Sequence, residues 1–203
     1  MIKEVIFDIE TQKLFDETKT GSPEELGVSI VSVYTRQLDD NHKEVEGVME
    51  SFWENELSKL WEAFQNADRI IGFNTLGFDV PVLTPYAPYP LKKLNHFDIM
   101  DQFKRVTGRR IGLNTLARDT LGIEKIDVGT NAVLYWRKQD KESLKKLKKY
   151  CESDVDITKQ LYDYVLDNSE LKFKDRWNTL RTIEIDFSYP EKNLNEEEQI
   201  GLF

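Results

Sequence analysis

The sequence has one cysteine, Cys151, and two histidines, His42 and His96, far apart in the chain. A single thiol excludes an internal disulfide and any cysteine-rich zinc site, and two distant histidines make a poor metal centre. No stretch approaches the roughly 18 apolar residues of a membrane span. The opening MIKEVIFD enters a strand at once and lacks the architecture of a signal peptide. These absences lead to the expectation of a soluble, cytoplasmic protein with no membrane partner. Positive charge is scarce too: 28 Lys and Arg stand against 37 Asp and Glu, a net charge of -9. So acidic a chain is a poor passive binder of phosphate backbones. Local lysine patches or bound metal ions would have to supply the positive field.

What is present suffices for a packed core, because 11 Phe, 8 Tyr and 4 Trp contribute to a hydrophobic content of 39%. Residues 1–190 are expected to form one domain and residues 191–203 a flexible acidic tail. Residues 2–9 read as a central strand, apolar on both faces. Residues 11–27 are polar and read as a long loop of the kind that often carries function. GVSIVSVYTRQLDDNHKEVEGVME alternates around an Asp-Asp-Asn turn, which predicts an antiparallel hairpin. Trp53, Leu57, Leu60, Trp61 and Phe64 recur at helical spacing and predict an amphipathic helix over 52–66. DRIIGFN (68–74) reads as a buried strand, 113–122 as a helix stopped by Gly122, 141–167 as a long helix and 181–189 as a late strand. A meander followed by strand–helix alternation predicts a mixed-sheet α/β domain.

Three short segments carry chemistry. In FDIET, Asp8 and Glu10 lie two apart in a strand and so share a face. Side by side and half-buried, two carboxylates repel, and one becomes protonated unless a cation lies between them. Mg²⁺ or Mn²⁺ fits that place best, since both prefer oxygen ligands. The bland alternative is chance, as at Asp140 and Glu142, where the same spacing suits a helix N-terminus. In GFNTLGFDVPVL, Asp79 reads as a helix N-cap with Pro81 in the first turn, at a sheet end where α/β sites form. In YCESDVDIT, Leu147, Cys151, Val155, Thr158, Leu161, Tyr162 and Val165 define an inward stripe. Asp154 falls within that stripe and Asp156 opposite it. Tyr150 precedes Asp154 by one turn and reaches the same region, or is a tyrosine at the edge of the core.

In this order and spacing the three segments resemble the DEDD 3′–5′ exonucleases of ribonuclease H-like fold. They look nearest to the exonuclease domain of B-family DNA polymerases and its free-standing bacterial relatives. FDIET matches the first motif, NTLGFD the second and YCESD the tyrosine form of the third. The histidine subclass would carry His where Lys149 stands. The resemblance covers most of residues 3–166 and implies a mixed β-sheet flanked by helices. It also implies a DNA-directed exonuclease of replication or repair that uses two divalent cations. Asp8, Glu10, Asp79 and Asp154 would hold the ions, with Asp8, Glu10 and Asp154 on the one that activates water. Asp8 would bridge to the second ion, which Asp79 supports through water, and Tyr150 would orient the attacking water. Thr11 and Asn74 are candidate contacts to the 3′ end, while Phe78 reads as core. GRR (108–110) and LKKLKKY (144–150) supply backbone contacts or are merely solvated faces. Asp98, Asp101, Asp119 and Asp127 match no motif.

RNA as substrate, a structure-selective endonuclease of the same fold and a non-catalytic, clamp-tethered adaptor are the rival readings. The last arises because QIGLF at the C-terminus resembles the short peptide by which bacterial proteins bind the sliding clamp. In it Leu202 and Phe203 would enter an apolar pocket and Gln199 would supply hydrogen bonds. The alternative is a tail whose terminal apolar residues pack on the domain.

Overall fold

The computed structural model describes residues 1–123 and 130–190. Strand β1 (Ile2–Thr11) runs up the middle of a five-stranded sheet. On one side it pairs antiparallel with β2 (Val28–Leu38), which turns through the predicted hairpin into β3 (Glu44–Trp53). The sheet is mixed, as expected, because the other side adds parallel strands. After the short helix α1 (Trp61–Gln65), β4 (Arg69–Gly72) pairs with β1. After α2 (Asp79–Leu83), β5 (His96–Asp98) closes the edge. Helices α3 (Ile99–Thr107), α4 (Leu113–Leu121), α5 (Thr130–Lys138) and α6 (Lys141–Asn168) follow. Then β6 (Glu170–Lys174) and β7 (Leu180–Glu184) form a separate antiparallel hairpin.

Alternation along β1 sorts its side chains between two cores. Val5, Phe7 and Ile9 pack with Leu57, Leu60, Phe64 and Val82 on one face. Ile6 packs on the other with Ile71, Phe103, Leu161 and Tyr162. The strand is not apolar throughout, however, because Glu4 is wholly buried. Its carboxylate accepts from Arg36 Nε at 2.7 Å and from the hydroxyls of Tyr162 and Tyr189, each at 2.9 Å.

Two expected elements differ. The helix over 52–66 is in fact the end of β3, a 3-10 turn over Glu54–Lys59 and then α1. Trp53 still pairs across the sheet with Ile30. Leu57 and Leu60 lie three apart, the period of a 3-10 turn, so they bury well without an α-helix. The late strand stops at Glu184 and joins β6 rather than the main sheet; Ile185 and Phe187 continue into the core without a strand partner. Asp79 is the first helical residue of α2, after a cap at Phe78, rather than the cap itself. Among the described residues no helix is long and apolar enough to cross a membrane.

Candidate active site

The even-numbered side chains of β1 face α6, so Asp8 and Glu10 emerge beneath that helix just past Ile6. The register shifts between Glu10 and Thr11, which ends the regular pairing at the lip of the site. Helix α6 is held against this strand end by Cys151, whose thiol donates to the Asp8 carbonyl at 3.4 Å. Burial, then the charges of Asp8 and Glu10, push that thiol well up from its usual range, so it is inert packing rather than a nucleophile. Asp154 lies three residues further along the inward stripe and is buried, whereas Asp156 is exposed and accepts from Gln160. One oxygen from each of Asp8, Glu10 and Asp154 lies within 4.8 Å of the others.

Asp79 reaches the same cavity from the far side of β1, although it is not one of that tight threesome. Its carboxyl is buried, and burial above all pushes it up to about 7. Hydrogen bonds from its own backbone and that of Ile9 oppose the rise, and the charges of Asp98 and Asp154 add to it. The turn before Asp79 is held by Asp98, for which the sequence offered no role. The N–H groups of Asn74 and Leu76 donate to its two oxygens at 2.8 and 3.0 Å, and Asp98 also caps α3. Asn74 sits at φ 65°, a conformation that asparagine tolerates better than most residues. The turn closes tightly on β1. A Cβ at Gly72 would collide with the Thr75 side chain and stand 3.1 Å from the Phe7 carbonyl.

The cavity has a volume of about 320 Å³. Asp8, Glu10, Asp79 and Asp154 share its wall with both candidate substrate contacts, Thr11 and Asn74. The Thr11 hydroxyl donates to the Lys13 carbonyl at 3.0 Å, and Asn74 Oδ1 accepts from Arg110 Nη2 at 2.6 Å. Phe78 is only partly core, because it also lines the cavity and its ring meets Phe15 at 5.9 Å. Lys13, Leu14 and Phe15 add wall from the long loop; only that loop's length and polarity hinted at this. Tyr150 stands one turn back along α6, buried with Ile30, Leu147 and Cys151, beside the cavity rather than in its wall.

Other candidates lie apart from the site. Lys146 and Lys148 pair with Glu142 and Glu152 one turn away, as on a solvated helix face. Asp101 pairs with Arg105, and Asp119 accepts the Lys174 N–H at 2.7 Å. Asp127, Gln199, Leu202 and Phe203 fall outside the described residues.

As a donor set, three converging carboxylates offer only hard oxygen ligands, which fits a divalent cation of the Mg²⁺ or Mn²⁺ kind.

No curated protein matches the chain by sequence. Among solved structures it is similar to the family B DNA polymerase of the hyperthermophilic archaeon Pyrobaculum calidifontis. The TM-score is 0.58 and the identity 19%, over 82% of this chain and 25% of the polymerase. The chain thus spans about a quarter of that enzyme's length. A weaker likeness, with a TM-score of 0.47 and 13% identity, is to a zinc-bound E. coli ExoI–ssDNA complex; it covers 83% of this chain and 41% of that one. Residues 5–166, which hold all four carboxylates, match the RNase_H superfamily, RNase_H_2. The chain belongs to the RNase_H superfamily.

Proposed function

We propose that this chain is a metal-dependent 3′–5′ exonuclease of the tyrosine subclass that hydrolyses phosphodiester bonds of single-stranded DNA in replication or repair. The observation that carries the reading is the meeting of Asp8, Glu10 and Asp154 on one cavity with Asp79. Carboxylates gathered this closely, partly out of water, favour a bound cation. Asp8, Glu10 and Asp154 would hold one divalent ion, and Asp8 with Asp79 would hold a second. Such ions neutralise the phosphodiester and ease the deprotonation of water. Tyr150, one helical turn from Asp154, would orient the attacking water through its hydroxyl. Thr11 and Asn74 would hold the terminal nucleotide, and Phe15 and Phe78 would give it an apolar wall that excludes bulk water.

The test is end-labelled single-stranded DNA, duplex DNA and RNA, each with Mg²⁺ or Mn²⁺. The expected result is a single-nucleotide ladder growing from the 3′ end of single-stranded DNA and abolished by chelation. Shortening of RNA alone would move the substrate, and exclusive internal cuts would make the chain an endonuclease. Binding without cleavage would leave a nucleic-acid-binding module.

The boundary between a domain over 1–190 and a tail over 191–203 stands as a proposal, as does a sliding-clamp tether through Gln199, Leu202 and Phe203. Removing 199–203 should abolish affinity for a purified bacterial clamp and leave hydrolysis of short oligonucleotides unchanged. Equal affinity with and without those residues would refute the tether.

A further inference from the structure

The β6–β7 hairpin stands outside the main sheet and carries a tryptophan at its tip. Trp177 is 68% exposed, and its neighbour Leu180 is 53% exposed. The tip is nonetheless built to hold its shape. Asp175 accepts the N–H groups of Trp177 and Thr179 at 2.9 and 3.0 Å, and its other oxygen accepts Arg181 Nε at 2.8 Å. The Arg176 guanidinium lies 4.2 Å from the centre of the Trp177 ring. A large apolar ring presented to water on a braced turn is wasted as packing, but it suits a flat ligand that stacks.

The surroundings say what that ligand is. On β6, one residue before the last pair of the hairpin, the Arg109 guanidinium lies 4.3 Å from the centre of the Phe173 ring. The next residue, Arg110, donates to Asn74 in the wall of the acidic cavity. A line of contacts therefore runs from the cavity through Asn74, Arg110, Arg109 and Phe173 to the tip four residues on. The line is basic in a chain of net charge -9: residues 104–110 hold four cations and no acid, and residues 170–184 hold four cations against three acids. Arg109, Arg110, Lys174 and Arg176 are all exposed. Positive charge interleaved with an aromatic face, continuous with a phosphodiesterase site, matches a single nucleic-acid strand with phosphates outside and bases unstacked.

We propose that the β6–β7 hairpin is a stacking platform for the single strand whose 3′ end enters the cavity. Trp177 stacks on a base to the 5′ side of the terminal nucleotide, and Arg109, Arg110 and Arg176 follow the backbone. The platform gives the protein a preference for strands long enough to reach it. This proposal rests on the nuclease reading, so its test separates the two.

The full-length chain with hydrolysis blocked by Asp154→Asn is titrated with fluorescein-labelled dT16 and dT4. Trp177→Ala should weaken dT16 binding by about tenfold, the loss of one base–aromatic stack, while Trp177→Phe retains most of it. Binding of dT4 should not change. In the hydrolytic chain, Trp177→Ala should leave the cleavage of thymidine 5′-(p-nitrophenyl phosphate) untouched. Equal dT16 affinity for the parent and Trp177→Ala, with hydrolysis intact, would overturn the platform alone. So would equal losses on dT16 and dT4. Concentration-dependent dimers lost in Trp177→Ala, with dT16 affinity unmoved, would overturn it as well and make the tip a contact between copies. A parent that binds dT16 through Trp177 but cleaves nothing would overturn the nuclease reading and keep the platform.

Discussion

One strand, β1, carries buried or half-buried acids at both ends of the same face, and their surroundings are opposite. At its start, Glu4 lies directly across from Arg36 on β2 and forms a salt bridge at 2.7 Å. Two tyrosine hydroxyls complete its shell. Arg36 also meets Asp163 at 2.7 Å and Glu44 at 3.1 Å, and Lys159 pairs with both of those acids, so each carboxylate here has a cation beside it within the protein. These neighbours hold the arginine more firmly charged than usual, against the cost of burial, and burial pushes the Tyr162 hydroxyl up. Four residues on, Asp8 faces Ser32 in the same register, and the charges that gather round it are Glu10 and Asp154. Breaking a buried ion pair costs a fold, whereas like charges crowded together repel, and a divalent cation between them relieves that repulsion. The first end is architecture, and the second is where the proposed chemistry would take place.

The comparison breaks if mutations at the two ends do the same thing. Asp8→Ala should lower hydrolysis by at least roughly a hundredfold, the scale of losing one electrostatic contact to the reacting group. The same change should leave the metal-free protein as stable as the parent or more so. Glu4→Gln should do the reverse, because it takes the wholly buried partner from Arg36, which keeps only the partly exposed Asp163 and Glu44. The cost should approach, without exceeding, the roughly 3–5 kcal/mol of a broken buried pair. The surviving folded fraction should still cleave at the parental rate per folded molecule. Chemical denaturation beside initial rates reads both, and equal stability losses at the two positions would erase the distinction.

A second contrast lies on α6, where composition cannot separate two aspartates. Asp154→Asn should remove most activity, Tyr150→Phe should give an intermediate loss and Asp156→Asn should change little. A folded but inactive Asp156→Asn chain would contradict the phasing of the helix.

The next effect is on stability and pH. The Asp79 carboxyl is pushed up from its ordinary value of 3.8 to about 7 in the fold. The native state therefore binds more protons than the unfolded chain between those values. This contribution favours folding below about 4 and is lost as the pH rises through 7, a swing on the order of 4 kcal/mol. Without divalent ions, Asp79→Asn should flatten that decline and melt higher than the parent at pH 8. Mg²⁺ should restore the parent at pH 8 but not the variant. A parent whose stability keeps rising from pH 5 to pH 8 without ions would refute the assignment. The smallest effect concerns Asp98→Asn, which should cost about 1–3 kcal/mol by leaving one N–H of the Asn74 turn without its acceptor. It should also raise KM more than it lowers kcat.

How far the sequence could be read follows the range of each interaction. An apolar run was enough for β1 and period-two alternation for the β2–β3 hairpin, and the 3.6-residue stripe placed Asp154 inward and Asp156 outward. A glycine at φ 71° ended α4 where Gly122 was expected to stop it. Neighbourhood misled where two periods fit one pattern, as at Leu57 and Leu60, and where one residue separates a cap from a first turn, as at Asp79. The Glu4–Arg36 pair was hidden because it needs the register of residues 32 apart in sequence. Asp98 was hidden for the same kind of reason, since it reaches back 24 and 22 residues to Asn74 and Leu76. β6 is five residues long, too short for its alternation to stand out beside the long helix that precedes it.

The central claim is that the acids at the end of β1 exist to hold divalent cations. Calorimetric titration of the chelated protein with Mn²⁺ at pH 8 tests it most directly. Saturable binding is expected, which Asp8→Asn reduces by at least roughly tenfold, since loss of even an outer-shell partner of a metal costs that much, and which Glu4→Gln leaves intact in the folded fraction. Binding unchanged by Asp8→Asn would contradict the claim.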